Sequence, residues 1–208
     1  MDHRKKQKQV PKKKSLLESL NPGEAAVVLQ RLLAAHPELD TEAEDVTKAL
    51  LREDNFEDIA EDVYDSVQVL GYDDLNGRAG RHEWGYVEPG DAASEILSET
   101  GAPFLDDLKR CVALGLEGEA LEICKGLVLG FYRLDHEGGG ELLQWAPEFT
   151  VETAAYALEI WRDGAGREQS RKHRSGRRKR AVLPEGFVEQ FVPDWAGMIE
   201  RVLSKPRA

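Results

Sequence analysis

The sequence has little of the chemistry from which most catalytic, redox and membrane sites are built. Its 208 residues include two cysteines, Cys111 and Cys124, whose spacing matches no metal-binding or redox motif. No apolar run is long enough to cross a membrane, and no apolar signal core follows the basic N-terminus. A Gly-x-x-x-x-Gly-Lys phosphate loop is also absent. We therefore expect a cytoplasmic protein in which both cysteines are small buried hydrophobes.

The sequence also lacks a set of residues that could act together in catalysis. His36, His82 and His136 are isolated, whereas a zinc site needs three or four converging ligands. No Ser/His/Asp or Cys/His combination stands out. The many carboxylates belong to patterns typical of an exposed surface, where their pKa values are not usefully shifted. The sequence therefore predicts no enzyme, no catalytic residue, no metal and no cofactor.

One stretch invites comparison with a calcium-binding loop. In YDDLNGRAGRHE, Asp74, Asn76, Gly77 and Glu83 match the third, fifth, sixth and twelfth positions of an EF-hand loop. Tyr72 occupies the first position, where an acidic ligand is required, and no amphipathic pattern follows the loop. We do not expect calcium binding here.

Charge is distributed very unevenly. The formal net charge is −11, yet residues 1–14 carry +6 and residues 167–180 carry +7, which leaves the rest of the chain near −24. Such an acidic body repels nucleic acid, whereas the two basic segments can attract it locally.

The stretch RKHRSGRRKR (171–180) concentrates seven positive charges without an aromatic side chain to stack on a base. Three interpretations are open: contact with a polyanion through salt-sensitive phosphate binding, docking onto the protein's own acidic face, or a solvated linker. The candidate polyanion-binding residues are Lys12, Lys13, Lys14, Arg171, Lys172, Arg174, Arg177, Arg178, Lys179 and Arg180.

Helix signals dominate the remaining chain. Asn21, Pro22 and Glu24 form a predicted cap, first-turn proline and capping box, and Asn55 is a second predicted cap. Apolar residues recur at helical spacing after these caps. The predicted helices cover 21–39, 41–51, 55–71, 88–100, 102–116, 117–134, 146–163 and 183–204, with a turn at Gly115 and glycines at 136–141.

These helices predict an all-α fold of stacked antiparallel helical hairpins, either a right-handed array like tetratricopeptide or HEAT repeats or a compact bundle. PGEAA (22–26) and PGDAA (89–93) lie 67 residues apart, as two copies of a repeated unit would. The expected organisation is a basic disordered arm (1–14), a helical-repeat domain (15–162), a basic flexible linker (163–182) and short C-terminal helices (183–204) packed on the main domain.

Two regions are candidate partner-binding surfaces. The predicted helix at 55–71 carries carboxylates on one face, and like charges at i,i+4 disfavour the isolated helix. Either a cationic partner or simple solvation accounts for that face. An irregular segment over 72–90 either anchors its aromatics on the helices or offers them to a partner. The candidate residues are Glu57, Asp58, Glu61, Asp62, Asp65, Arg78, Arg81, Trp84 and Tyr86.

Three stretches of the sequence are similar to uncharacterised prokaryotic helical-repeat proteins. They are LLESLNPGEAAVVLQRLLAAHPEL, EDIAEDVYDSVQVLGYDDLNGRAG and DDLKRCVALGLEGEALEICKGLVLGFYRL. They resemble more loosely the helical regions that accompany SWIM-type zinc fingers. The likeness covers roughly residues 15–162, and the Cys-x-Cys…Cys-x-His set of the zinc finger is missing. The resemblance implies a helical scaffold in a prokaryotic cytoplasm, without a metal ligand or a substrate.

Together these patterns predict a non-enzymatic interaction or adaptor module that binds a protein partner. Its basic arm and linker would contact polyanions. The alternative is a nucleic-acid-associated regulator that binds DNA or RNA mainly through the basic segments.

Overall fold

A computed structural model describes residues 16–51, 55–83, 85–165 and 181–205. The chain divides into two compact units, residues 1–50 and 51–208. The predicted domain over 15–162 spans the division between them.

The first unit contains a 3-10 turn (Leu17–Ser19), helix α1 (Pro22–Ala35), a second 3-10 turn (Pro37–Leu39) and helix α2 (Asp40–Leu51), whose last residue crosses the division. The predicted capping box is confirmed. The Asn21 side chain accepts from the Glu24 N–H at 2.9 Å, and Glu24 accepts from the Asn21 N–H at 3.0 Å. The two bonds satisfy donors at a helix start that have no partner inside the helix.

The second unit holds most of the helical structure and one small hairpin. Its helices are α3 (Phe56–Gln68), α4 (Tyr72–Arg78), α5 (Pro89–Leu114), α6 (Glu117–His136), α7 (Phe149–Gly164), α8 (Phe187–Phe191) and α9 (Ala196–Ser204). Strands β1 (Gly80–His82) and β2 (Gly85–Val87) pair antiparallel, with Arg81 opposite Tyr86. Short 3-10 turns cover Glu141–Gln144 and Pro193–Trp195. The prediction of a mostly helical fold is confirmed.

Helix α6 lies at the centre of this unit. Its residues Cys124–Phe131 are buried without interruption, as expected of a helix that is enclosed on every side. Gly115 adopts a left-handed conformation at the end of α5, so that the chain reverses and α6 runs back along α5, as the sequence predicted. Helix α7 is also antiparallel to α6, since Phe149 meets Phe131 and the Ala157 carbonyl lies 3.8 Å from the Cys124 thiol.

Helix α3 packs parallel to α6 at unusually close range. A Cβ atom on Gly126 would lie 2.6 Å from the Cβ of Ile59, and one on Gly130 would lie 2.8 Å from the Cβ of Val63. Real Cβ atoms do not approach so closely, so both positions require glycine. The sequence predicts a buried stripe on α3 that consists of Phe56, Ile59, Ala60, Val63, Val67 and Leu70. Ile59, Ala60, Val63 and Val67 are buried, whereas Phe56 and Leu70 are half-buried.

The segment 181–205 packs into the same core. The ring centroids of Phe187 and Phe191 lie 5.6 and 5.1 Å from that of Phe56 at the start of α3. The buried Arg162 of α7 donates to the Val202 carbonyl at 2.7 Å, which fixes α9 against α7.

Two local predictions are wrong. The segment 72–90 is ordered into α4 and the hairpin, because Leu75 is buried and Asp74 caps the helix by accepting from the Gly71 N–H at 2.9 Å. The helices predicted at 88–100 and 102–116 form one helix that contains Pro103. Proline removes one backbone donor, yet Leu97 before it and Leu108 after it are both fully buried, so core packing maintains the helix through the proline.

Candidate protein-binding surface

The acidic face of α3 is built by its cap and by its packing on α6. The side chain of Asn55 accepts from the Glu57 N–H at 2.8 Å and from the Asp58 N–H at 3.0 Å, and it donates to the Asp58 carboxylate at 2.7 Å. Carboxylates in the first turn also match the positive end of the helix dipole. This cap fixes the start of a helix whose apolar stripe is buried on α6.

The opposite face of α3 is exposed to solvent. Its carboxylates are Glu57, Asp58, Glu61, Asp62 and Asp65, and all five side chains are exposed. Within the described ranges, none of the five forms an ion pair with a cationic side chain. We define these five residues as the α3 acidic face. It is a concentrated negative surface on a helix that is packed firmly against α6.

Arg78, predicted as a partner-binding residue, is engaged within the unit. Its guanidinium donates to both carboxylate oxygens of Glu99, at 2.8 and 2.9 Å, and lies 3.4 Å from Glu95. The hydrogen bond between the two groups raises the pKa of Arg78 and lowers that of Glu99. Arg78 therefore fastens α4 to α5.

The hairpin after α4 presents the other candidates from this segment. Arg81 and Tyr86 are opposed on the two strands, both are exposed, and Tyr86 retains 63% of its accessible surface. Trp84 lies outside the described residues. Arg81 and Tyr86 stay candidates for partner contact.

The predicted polyanion-binding residues all lie outside the described residues. These are Lys12, Lys13, Lys14, Arg171, Lys172, Arg174, Arg177, Arg178, Lys179 and Arg180.

The sequence interpretation missed a groove of about 620 Å³ between α5 and α7. Gly101, Leu105 and Phe149 contribute apolar surface to it, and Lys109 and Tyr156 also line it. The Lys109 ammonium lies 3.0 Å from Asp106, and this hydrogen bond raises the pKa of Lys109. Gly101, which lines the groove, was left between the helices predicted at 88–100 and 102–116, so the sequence interpretation did not place it on a helix surface.

A second polar cluster joins α6 to the C-terminal segment. The Tyr132 hydroxyl donates to Asp194 at 3.0 Å, and the His136 ring stacks on Tyr132 with 4.0 Å between centroids. His136 Nε2 lies 3.2 Å from Asp194. Burial and the hydrogen bond to Asp194 raise the pKa of Tyr132. These contacts hold α6 against the 3-10 turn Pro193–Trp195.

The two thiols are not placed for nucleophilic chemistry. Cys111 and Cys124 are both buried and free, and burial raises the pKa of each thiol. A thiolate is the reactive form, and these environments disfavour it. Across the described part of the chain, no three His, Cys, Asp or Glu side chains are grouped as metal ligands would be.

No protein-family model, curated protein or solved structure matches the chain. None of the helices in the described ranges combines the length and apolar character needed to span a bilayer. The resemblance to helical-repeat and SWIM-associated proteins stays a prediction.

Proposed function

We propose that this protein is a non-enzymatic helical interaction module that binds a basic segment of a protein partner on the α3 acidic face. The observation that carries the proposal is the exposure of five carboxylates, among them Glu57, Glu61 and Asp65, none of which forms an ion pair with a described cationic side chain. Their mutual repulsion disfavours the helix, and a bound cationic segment would relieve it.

The support for the face is rigid. The Asn55 cap holds the start of α3, and Ile59 and Val63 pack directly against the backbone of α6 at Gly126 and Gly130. A partner would therefore meet a preformed surface and would not have to order it, which lowers the entropic cost of binding.

The test compares two sets of carboxamide substitutions with equal change in charge. The first replaces the α3 acidic face: Glu57→Gln, Asp58→Asn, Glu61→Gln, Asp62→Asn and Asp65→Asn. The control replaces exposed carboxylates elsewhere: Asp73→Asn, Glu137→Gln, Glu185→Gln, Glu189→Gln and Glu200→Gln. The probe is a fluorescent peptide of alternating arginine and leucine, and its binding is followed by anisotropy.

The wild type and the control set should bind this peptide with similar affinity, and the α3 set should lose at least about tenfold, because each close charge pair contributes to affinity. Equal affinity in the α3 set and the wild type would contradict the proposal. So would equal losses in both sets, since these would reflect only the overall charge.

The alternative function is regulation of nucleic acid through the basic segments, which is favoured by the charge of +7 over residues 167–180. It predicts binding of DNA or RNA that weakens by orders of magnitude between about 50 and 200 mM salt. Replacing the basic residues of 1–14 and the arginines of 171–180 with neutral residues should abolish this binding. The variant with the five α3 substitutions should bind nucleic acid no more weakly than the wild type. This result would select the regulator over the adaptor.

A further inference from the structure

Helix α1 is apolar on nearly all sides, yet none of its residues is buried within the described chain. Of its 14 residues, only Glu24 and Arg31 carry charge. The large apolar side chains are roughly half exposed, at 46% for Val27, 42% for Val28, 51% for Leu29 and 46% for Leu32. Helices of this composition are ordinarily enclosed by other elements. Helix α1 therefore needs a covering surface.

The first unit spans residues 1–50, and so small a unit has little apolar surface of its own with which to cover a helix. Small units often gain stability from disulfides, metals or oligomerisation. Both cysteines of the chain belong to the second unit, and no metal-ligand group occurs in the described ranges. A second copy of the chain would supply the missing surface through oligomerisation.

The two charges on α1 indicate which partner fits. Glu24, Val28 and Arg31 lie on one face because they are spaced four and three residues apart, and Val27 and Leu32 flank them. Two antiparallel copies of α1, related by a two-fold axis between Val27 and Val28, would place each Glu24 opposite Arg31 of the partner subunit. A parallel pair would instead bring like charges together.

Both charged groups are available for such a contact. Within the described residues Glu24 accepts only from the Asn21 N–H, and Arg31 takes part in no ion pair. We propose that α1 pairs antiparallel with α1 of a second copy of this chain, forming a two-fold symmetric dimer with a valine layer between two Glu24–Arg31 ion pairs. This goes beyond the α3 acidic face and does not depend on it.

The first test is the mass of the full chain by sedimentation equilibrium over about 1 to 100 µM, since a dimer dissociates on dilution. The wild type should reach twice the monomer mass of 23.3 kDa. Arg31→Glu should raise the dissociation constant at least about tenfold, because two carboxylates then face each other. The double variant E24R/R31E should restore the dimer.

A matched pair of variants tests which face is used. Val28→Asp and Leu29→Asp make the same change at similar exposure, but Leu29 points away from the proposed contact. Val28→Asp should abolish the dimer and Leu29→Asp should retain it. Because E24R also removes the capping box, circular dichroism checks that α1 remains helical in the double variant. If α1 is unfolded in that variant, the comparison of Val28→Asp with Leu29→Asp decides whether the proposed face is used.

Three results would overturn the proposal. The wild type could have the monomer mass of 23.3 kDa at every concentration. If the α1 amides were also protected from hydrogen exchange, the protection would indicate that the same chain covers α1. Arg31→Glu and Val28→Asp could both leave the dimer unchanged. Leu29→Asp could dissociate the dimer as fully as Val28→Asp.

Discussion

Helices α1 and α6 both contain several leucines and other apolar residues, but their surroundings differ. Helix α6 buries every residue from Cys124 to Phe131, whereas α1 buries none against the part of the chain that the structure describes. Even the buried Lys125 of α6 has partners, since its ammonium lies 2.7 Å from Glu122 and 4.1 Å from the centroid of the Phe56 ring. Apolar composition thus marks a helix that needs neighbours, and it does not say whether they come from the same chain.

The largest expected effect comes from shortening one leucine in each helix. Leu127→Ala in α6 should lower the free energy of unfolding by about 2–5 kcal/mol, because Leu127 is fully buried and the substitution leaves a cavity. Leu29→Ala in α1 should change the unfolding of the second unit by less than about 0.5 kcal/mol. Urea unfolding followed by tryptophan fluorescence measures both. Equal losses would mean that α1 belongs to the core.

A pair of glycine substitutions sharpens the contrast. Gly130→Ala should destabilise by about 1–3 kcal/mol, since the new methyl group would lie 2.8 Å from the Cβ of Val63 and overpack the contact between α3 and α6. Gly23→Ala in α1 meets nothing closer than 3.4 Å and should stabilise its helix by up to about 1 kcal/mol. Thermal unfolding measures the loss of stability expected for Gly130→Ala, and circular dichroism measures the gain in helicity expected for Gly23→Ala. A stable Gly130→Ala variant would disprove the close approach.

The helix caps should give a smaller effect. Asn55→Ala removes the acceptor of the Glu57 and Asp58 N–H groups and should cost about 0.5–2 kcal/mol in the second unit. Asn21→Ala should leave that unit unchanged and raise amide exchange only in the first turn of α1. Hydrogen exchange by mass spectrometry distinguishes the two. Global destabilisation by Asn21→Ala would contradict the division into two units.

The smallest expected effect on stability at neutral pH concerns the buried thiol of Cys124, and its reactivity can be measured by alkylation. Cys124 keeps its proton when folded because burial raises its pKa, so alkylation should wait for unfolding. An Ala26→Cys variant should react at α1 like a free thiol. Since unfolded thiols ionise above about pH 8.5, the contribution of Cys124 to stability is complete below that pH and declines above it. Rapid labelling of native Cys124 would show that α6 opens easily.

Local signals in the sequence predicted the parts of the fold that local chemistry controls. The caps at Asn21 and Asn55, the buried stripe of α3 and the reversal at Gly115 each depend on a few neighbouring residues, and each is observed. The exposed acidic face of α3 followed from the same helical spacing.

The features that were mispredicted or missed depend on distant neighbours. Pro103 looks like part of the first turn of a separate helix until the burial of Leu97 and Leu108 is known. Arg78 looks available until Glu99 is placed beside it. The groove at Leu105 and Phe149 joins residues from two helices, so no single stretch of sequence shows it.

The glycine contact between α3 and α6 also sets an order of events in folding. Helices α5, α6 and α7 are neighbours along the chain, so their contacts close short loops. The contact of Ile59 with Gly126 closes a much longer one, at a greater entropic cost. During synthesis, the apolar stripe of α3 leaves the ribosome well before Gly126 and Gly130 exist to receive it. We therefore expect the apolar stripe of α3 to stay uncovered, and open to aggregation, until α6 is complete.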